Sequence, residues 1–404
     1  MKIILTILDG LGDTPISELG DKTPLEAAHT PNMDKLAEEG MCGLVVPYIF
    51  PGEDNPTSEG AHVALFGYKD YFLGRGPYEA AGAGIDMEEG DVAFRVNFGT
   101  VDDNLIITDR RAGRISKTEL LSEAVSGKEI DGVEFIVKSS FGHRGVLVMR
   151  PNKGIKLSAK VSDGDPHKVG IKVNEINNLE ESKEAKFTAD VLNKFLGWAH
   201  DVLENHPFNQ ERRESELPPG NYLLIRGAGE MSEVPSFKDK YGLNSAFVAG
   251  GTLYKGVAKI IGMEEINVAG ATGLADTDLE GKIQGAKGAL KDHDFVFLHI
   301  KATDTFSHDG DFENKKLFIE EIDKHVKTLL GLENTLIIIT GDHSTCCKLK
   351  DHCKEPIPFL LNGAEKDEVD SFCEKECKKG GLGKFNQDDL MKKVLDINKN
   401  KKID

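Results

Sequence analysis

The chain has 404 residues, more than one ordinary domain holds, and a hydrophobic content of 39%, enough to bury a large core and to exclude disorder as its main state. Lys and Arg total 50 against 68 Asp and Glu, a formal charge of −18; such a surface repels a phosphate backbone, so a nucleic-acid role is excluded and an anionic small substrate needs a local cluster of cations or metal ions. The opening apolar run, Ile3 to Leu8, is short for a secretory leader, and no apolar run approaches the ~18 residues of a membrane span, so a soluble cytoplasmic protein is expected.

In chain order, KIILTIL is a short buried strand that ends in Asp9. Thr30 caps a first helix that opens with Pro31 and closes at Gly40. The turn Asn55, Pro56, Thr57, Ser58 starts a second helix through EGAHVALF to Gly67, with Ser58 at its N-terminus. Between about 72 and 220 the texture changes: FRVNFGT and FIVKSSFGHRGVLVMR alternate as half-buried antiparallel strands do, and Glu175 to Glu216 reads as helix and loop. After the Pro218, Pro219, Gly220 breaker comes an apolar strand, NYLLIR, then FVFLHI (Phe295 to Ile300), LIIIT (Leu336 to Thr340) and EPIPFLL. The lysine-rich end, NKNKKID, is expected to fray.

Alternating strands and helices imply an α/β core with a mostly parallel sheet and helices on both faces. The expected division is a core of residues 1–72 and 220–404, interrupted by an inserted α+β cap at 73–219.

In such a sheet, functional groups collect where strands end at their carboxyl edge. Three apolar strands each deliver a carboxylate there: Asp9, Asp304 and Asp342. Asp304 and His308 are spaced i, i+4, on one face of a helical turn; His343 follows Asp342 directly, and His352 comes nine residues later. Carboxylates with imidazoles suit Mn²⁺, Zn²⁺ and related ions. A histidine taken singly is ordinarily a helix cap or a satisfied core group, and a serine before a helix an N-cap. Their convergence at strand ends points to a site. With Asp9 and Ser58 there are seven potential ligands, too many for one tetrahedral ion and about right for two; ions ~3.5–4 Å apart can activate a serine hydroxyl and hold a phosphoryl oxygen, which makes Ser58 a nucleophile.

The local cations that a net charge of −18 calls for are Arg110, Arg111 and Arg114, His143 with Arg144, and Arg226 at a strand end. A guanidinium binds carboxylate or phosphate bidentately. Asp109, Asp165 and His167 lie beside them, where turn capping explains them equally well. The six cysteines, Cys42, Cys346, Cys347, Cys373, Cys377 and Cys353, lack CxxC spacing and are expected as thiols, with Cys346 and Cys347 packed near the site. The glycines of AAGAGID and RGAGEM fit neither GxGxxG nor a Walker A loop.

ILDGLGD, NPTSEGAH, HIKATDTFSHDGD and TGDHST resemble the alkaline phosphatase superfamily. RGPYEAAGAGID, AFRVNFGT, ITDRRAGRIS, GHRGVLV, GDPH and NYLLIRGAG extend the resemblance over most of the chain, specifically to the archaeal-type cofactor-independent phosphoglycerate mutases. The resemblance implies an alkaline-phosphatase-like core, Asp304, His308 and His352 on one metal, and Asp9, Ser58, Asp342 and His343 on the other. It implies two divalent ions, Mn²⁺ foremost with Mg²⁺, Co²⁺ or Zn²⁺ as substitutes, and interconversion of 3- and 2-phosphoglycerate through a phosphoserine with no bisphosphoglycerate primer. Arg110, Arg111, Arg114, His143, Arg144 and Arg226 are its expected substrate-binding residues. A lysine that binds substrate in the longer bacterial and plant form has no aligned position, and Lys301 and Lys255 are its candidates. The alternative is a related phosphotransferase or phosphohydrolase acting on another small phosphoester. No nucleic-acid or membrane partner is expected, and a homo-oligomer is left open.

Overall fold

The computed structural model describes residues 1–400. The chain forms two compact units, one from Met1–Phe72 with the chain from Pro235 onward, the other from Leu73–Val234.

The first unit is built on an eight-stranded sheet, ordered Glu264–Glu265, Ser245–Val248, Phe295–Ile300, Lys2–Leu8, Thr335–Thr340, Ile357–Asn362, Gly40–Val46, Gly383–Asn386. Only Ile357–Asn362 runs antiparallel to its neighbours. The three central strands are parallel, with Ile4 level with Val296 and Ile337. Their continuous apolar runs are buried on both faces, as central parallel strands must be. Even-numbered Ile4, Leu8, Val296 and Leu298 pack in one cluster with Met33 and Leu36, Ile283 and Ala286, and Ile319 and Ile322 from three helices. Phe295 and Phe297 point the other way, against Phe66 and Phe237. Helices therefore cover both faces, and the mostly parallel α/β class expected for the core is the one found.

A one-turn helix, Pro24–Ala27, precedes the expected first helix and is held by a capping box between Thr23 and Glu26. The helix Pro31–Glu38 follows; Thr30 stands at its N-cap without a side-chain capping hydrogen bond, and Gly40 already opens the next strand. At the other end, Leu390–Asn400 is helical, so the expected fraying of NKNKKID fails at Asn398 to Asn400, and its last four residues lie outside the described residues.

In the second unit the long strand Val92–Val101 pairs antiparallel with Arg144–Pro151 on one side and Tyr222–Glu230 on the other. Val133–Phe141 and Lys128–Ile130 extend the sheet. One face packs on the helix Lys183–Glu204, where Phe135 stacks on Phe195 with centroids 4.0 Å apart. The helix Arg75–Gly82 crosses the other face so closely that a Cβ on Gly76 would lie 1.9 Å from Ala93 O, room that only glycine leaves.

Two expectations are corrected. Strand NYLLIR was assigned to the returning core, but residues Tyr222–Glu230 complete the second sheet, and the chain re-enters the first unit near Pro235. Apolarity and alternation say that a segment is a strand, and carry no information about which sheet edge it joins. The cysteines were expected as thiols, but Cys346 and Cys353 form a disulfide across the hairpin of Ser344–Cys346 and Asp351–Cys353; Cys42, Cys347, Cys373 and Cys377 are free. Among the described residues, no helix is long and apolar enough to cross a membrane.

Candidate metal centre

The carboxyl ends of the three central strands carry Asp9, Asp304 and Asp342, all buried. Gly10, at φ 65°, turns the chain immediately after Asp9; a Cβ there would stand 2.5 Å from Thr345 Oγ1 and 2.9 Å from Asp304 Cβ. Its N–H donates to Asp342 Oδ1 at 3.0 Å. Asp304 lies in the first turn of the helix Ala302–Asp309, and His308, one turn on, brings Nε2 to 3.3 Å from Asp304 Oδ1. His352 approaches the same oxygen with Nε2 at 3.6 Å.

The second set meets around His343, whose Nε2 is 3.2 Å from Asp342 Oδ2, 3.6 Å from Asp9 Oδ1 and 3.3 Å from Ser58 Oγ. Ser58 is the first residue of the helix Ser58–Leu65, and the N-cap role falls to Thr57, whose hydroxyl accepts from Gly60 N–H. Ser58 is thereby left free of the capping duty that usually explains a serine at a helix start. His62, one turn on, donates Nδ1–H to Ser58 O at 2.8 Å.

Asp304, His308 and His352 form one group whose donor atoms lie within 4.8 Å of one another, and Asp9, Asp342 and His343 form a second. Three features fit divalent ions. His308 donates Nδ1–H to Lys350 O and His352 donates Nδ1–H to Pro56 O, at 3.0 and 2.7 Å, which turns each Nε2 to Asp304, where it would give its lone pair to an ion that displaced its proton. That is how a protein sets the tautomer of a metal-ligating imidazole. Asp9 Oδ1 and Asp342 Oδ2 are buried with no hydrogen-bond partner, a costly arrangement unless a cation completes it. Burial, reinforced by Asp9 and Asp304, pushes the Asp342 carboxyl far above the usual range, a penalty that a bound cation would relieve. Burial also penalises the Asp9 and Asp304 carboxylates, but Lys301 acting together with neighbouring histidines, His299 beside Asp9 and His308, His352 and His343 beside Asp304, holds both below the usual range.

Sequence reasoning did not single out His62, His299 and Tyr254, the layer behind these ligands. Tyr254 stacks on His299 at 3.6 Å, and His299 Nε2 lies 3.3 Å from Asp9 Oδ2. The histidine interrupting the apolar run FVFLHI was the available signal. Of the two candidate lysines, Lys255 pairs with Glu265 at 2.7 Å, whereas Lys301 stands among the metal-group carboxylates.

The second unit holds a cluster of cations. Arg95 and Arg226 face each other in register across Val92–Val101 and Tyr222–Glu230. Arg95 is only 15% exposed at its side chain, and burial together with Arg75 pushes its guanidinium down to about 9. Arg144 bears on the same group. His143 is pushed down to about 4 by burial and by Arg144 and Arg111. Arg226 Nη1 reaches His167 Nδ1 at 3.3 Å. Arg110 forks onto Asp165 with contacts of 3.1 and 2.6 Å. Asp109 accepts from the backbone N–H groups of Arg111 and Gly113, the turn-capping role that competed with a functional one. Arg114 is exposed, at φ 56° in the turn Ala112–Arg114. Arg75 and Arg95 were not among the expected cations, although an arginine inside the apolar alternation AFRVNFGT was a visible anomaly. Arg75 pairs with Glu79 and Arg110 with Asp165, so the guanidiniums outnumber the acids beside them, a charge balance suited to an anion.

A profile described as the metalloenzyme superfamily matches residues 1–397. The 2,3-bisphosphoglycerate-independent phosphoglycerate mutase 1 of Methanocaldococcus jannaschii is 47% identical over 98% of this chain and 97% of its own length. The mutase 1 of Archaeoglobus fulgidus is 46% identical, covering 98% of each. Among solved structures, the cofactor-independent phosphoglycerate mutase from Thermoplasma acidophilum superposes with a TM-score of 0.72 at 35% identity, over 98% of this chain and 100% of that one. The PH0037 protein of Pyrococcus horikoshii superposes with a TM-score of 0.85 at 36% identity, over 98% and 97%. The chain belongs to the metalloenzyme superfamily and, within it, to the archaeal 2,3-bisphosphoglycerate-independent phosphoglycerate mutases.

Proposed function

We propose that the chain interconverts 3-phosphoglycerate and 2-phosphoglycerate through a phosphoserine at Ser58, with no bisphosphoglycerate primer. The observation that carries this reading is the position of Ser58 Oγ, 3.3 Å from His343 Nε2 at the start of a helix, in a cluster whose carboxylates Asp9 and Asp342 each keep one buried oxygen unpartnered.

In this reading Asp304, His308 and His352 hold one divalent ion and Asp9, Ser58, Asp342 and His343 hold the other, Mn²⁺ foremost, with Mg²⁺, Co²⁺ or Zn²⁺ as substitutes. The ions supply the positive charge that lowers the pKa of a hydroxyl and neutralises phosphoryl oxygens. Ser58 Oγ forms a bond to phosphorus as the bond from phosphorus to the C3 oxygen breaks, and that oxygen gains a proton while the serine loses one. Glycerate turns, its C2 oxygen takes the phosphoryl group and gives up its proton, and Ser58 Oγ is restored. No water is consumed, so water must be kept from the phosphoserine. The helix start at Ser58 favours the negative charge that builds on the group it carries.

The guanidiniums of Arg95, Arg226 and Arg75, with Arg111, Arg144 and His143 beside them, are the groups equipped to bind the carboxylate of the substrate. The second unit is accordingly proposed as the substrate-binding part of the chain, the first as its metal-binding part, and the cytoplasm as the place of the reaction.

The test is phosphorus NMR of metal-loaded protein given 3-phosphoglycerate without bisphosphoglycerate. Formation of 2-phosphoglycerate, abolished by a chelator and by Ser58→Ala, is the expected result. Inorganic phosphate as the sole product would overturn it in favour of a phosphohydrolase.

A further inference from the structure

Lys301 lies between the two groups of potential metal ligands and belongs to neither. Its Nζ is 2.8 Å from Asp304 Oδ2, in one group, and 3.3 Å from Asp9 Oδ2, in the other. The oxygens it engages are the ones their groups do not use. Asp304 turns Oδ1 to His308 Nε2 and His352 Nε2. Asp9 turns Oδ1 to His343 Nε2, and that oxygen has no hydrogen-bond partner.

The lysine is held from several sides. It follows the strand Phe295–Ile300 directly and precedes the helix Ala302–Asp309, so backbone structure fixes its root. Its ammonium lies 5.4 Å from the centroid of the Tyr254 ring, and Tyr254 is itself stacked on His299. Its stem runs by glycine backbone: a Cβ on Gly251 or Gly273 would come to 4.0 or 3.8 Å from Lys301 Cδ. A side chain so confined orients its partners more than it adapts to them.

We infer that Lys301 is a positioning residue that clamps the outer oxygens of Asp9 and Asp304, so that each carboxylate offers a single oxygen to its ion and the two ions are bound as a coupled pair. A carboxylate free of this clamp can pivot and present both oxygens, which changes coordination number and distance together. Charge alone argues in the opposite direction, since deleting an ammonium beside a cation site relieves repulsion and tightens metal binding. The sign of the effect therefore separates the two roles.

The inference rests on the two-ion reading, and the experiment separates them. Full-length protein stripped of metal is titrated with Mn²⁺ by calorimetry and with Co²⁺ by visible absorption, for the wild type, Lys301→Met and Lys301→Arg. Outer partners of metal ligands are worth ~10–100-fold in affinity, so Lys301→Met should bind at least one ion ~10-fold or more weakly. Its Co²⁺ absorption should weaken as the coordination number rises, and Lys301→Arg should recover part of both. Equal or tighter binding by Lys301→Met, with the Co²⁺ spectrum of the wild type, overturns the clamp. A wild type that takes fewer than two ions overturns the two-ion reading and the clamp with it. Should Lys301→Met fail to fold, Lys301→Gln is titrated in its place: weaker binding with a weakened Co²⁺ absorption supports the clamp, and equal or tighter binding with the wild-type spectrum refutes it.

Discussion

His343 and His352 stack ring on ring, with centroids 3.8 Å apart, although each belongs to a different group of potential metal ligands. The hairpin of Ser344–Cys346 and Asp351–Cys353 produces the stack: His343 enters its first strand, and His352 sits opposite Thr345 on its second. The disulfide Cys346–Cys353 closes that hairpin over a sequence separation of 7, and so staples the segment that joins the two groups.

Opening that staple should be visible in stability. The chain-entropy model gives ~2–3 kcal/mol for so short a loop. Urea midpoints should fall by a corresponding amount when a thiol reductant is added to the wild type, and should not respond to reductant in the Cys346→Ser, Cys353→Ser double variant. An unchanged wild-type midpoint would mean that the hairpin is held by its other contacts.

A buried ion pair supports the loop after Asp9. Lys315 Nζ lies 3.0 Å from Asp13 Oδ2 with both side chains 0% exposed, and it also donates to Gly12 O and Thr345 O. Asp13 in turn accepts from Cys347 N–H. Lys315→Met strands a buried carboxylate and should cost about 3–5 kcal/mol, whereas adding Asp13→Asn should restore part of the loss. A double-mutant cycle by chemical denaturation measures the coupling, and additive losses would show that the pair acts as two independent groups.

Glu374, a residue of neither group of potential metal ligands, gives stability a pH dependence of its own. Burial pushes its carboxyl up to about 7, and although Thr23 donates to Oε2, Oε1 is buried without a partner. The folded chain then holds a proton that the unfolded chain, with an ordinary carboxyl, releases at lower pH. The stabilisation is complete below about pH 4.5 and is lost as pH rises through 7, by roughly 1–3 kcal/mol. Glu374→Gln should remove this slope between pH 5 and 7, and a parallel curve for the variant would assign the slope elsewhere.

Arg95 should matter to substrate and not to folding. Its guanidinium is crowded by Arg75, Arg226 and Arg144, with Glu79 Oε1 3.9 Å away. Arg95→Leu relieves like-charge repulsion, so Tm should hold or rise while KM for 3-phosphoglycerate rises ~10–100-fold, as expected for one lost charge-assisted contact of ~1.5–3 kcal/mol. A Tm collapse with unchanged KM would make the residue structural.

Divalent ions should stabilise the fold. Binding to the native state alone at 100 times Kd adds ~2.7 kcal/mol. Tm should rise on adding Mn²⁺ and fall on chelation, with the response diminished in Asp342→Asn. A Tm insensitive to Mn²⁺ would count against a preformed site.

Much of the metal centre was legible in the chain itself. Each of KIILTIL, FVFLHI and LIIIT reads as a buried strand from its own composition, and each is followed within a few residues by a carboxylate; parallel strands side by side must bring such ends together. The i, i+4 spacing of Asp304 and His308 is equally local, because one helical turn determines it. What depends on pairing between distant segments was not legible. Tyr222–Glu230 looks like any apolar strand, and only its register against Val92–Val101 places it in the second sheet and sets Arg226 opposite Arg95. Lys301 touches Asp9 across 292 positions of sequence, and Lys315 touches Asp13 across 302. Composition and periodicity report the environment along one segment. The clamp, the buried pair and the arginine cluster arise from side chains that converge from different elements, and that convergence exists only once the tertiary fold has closed.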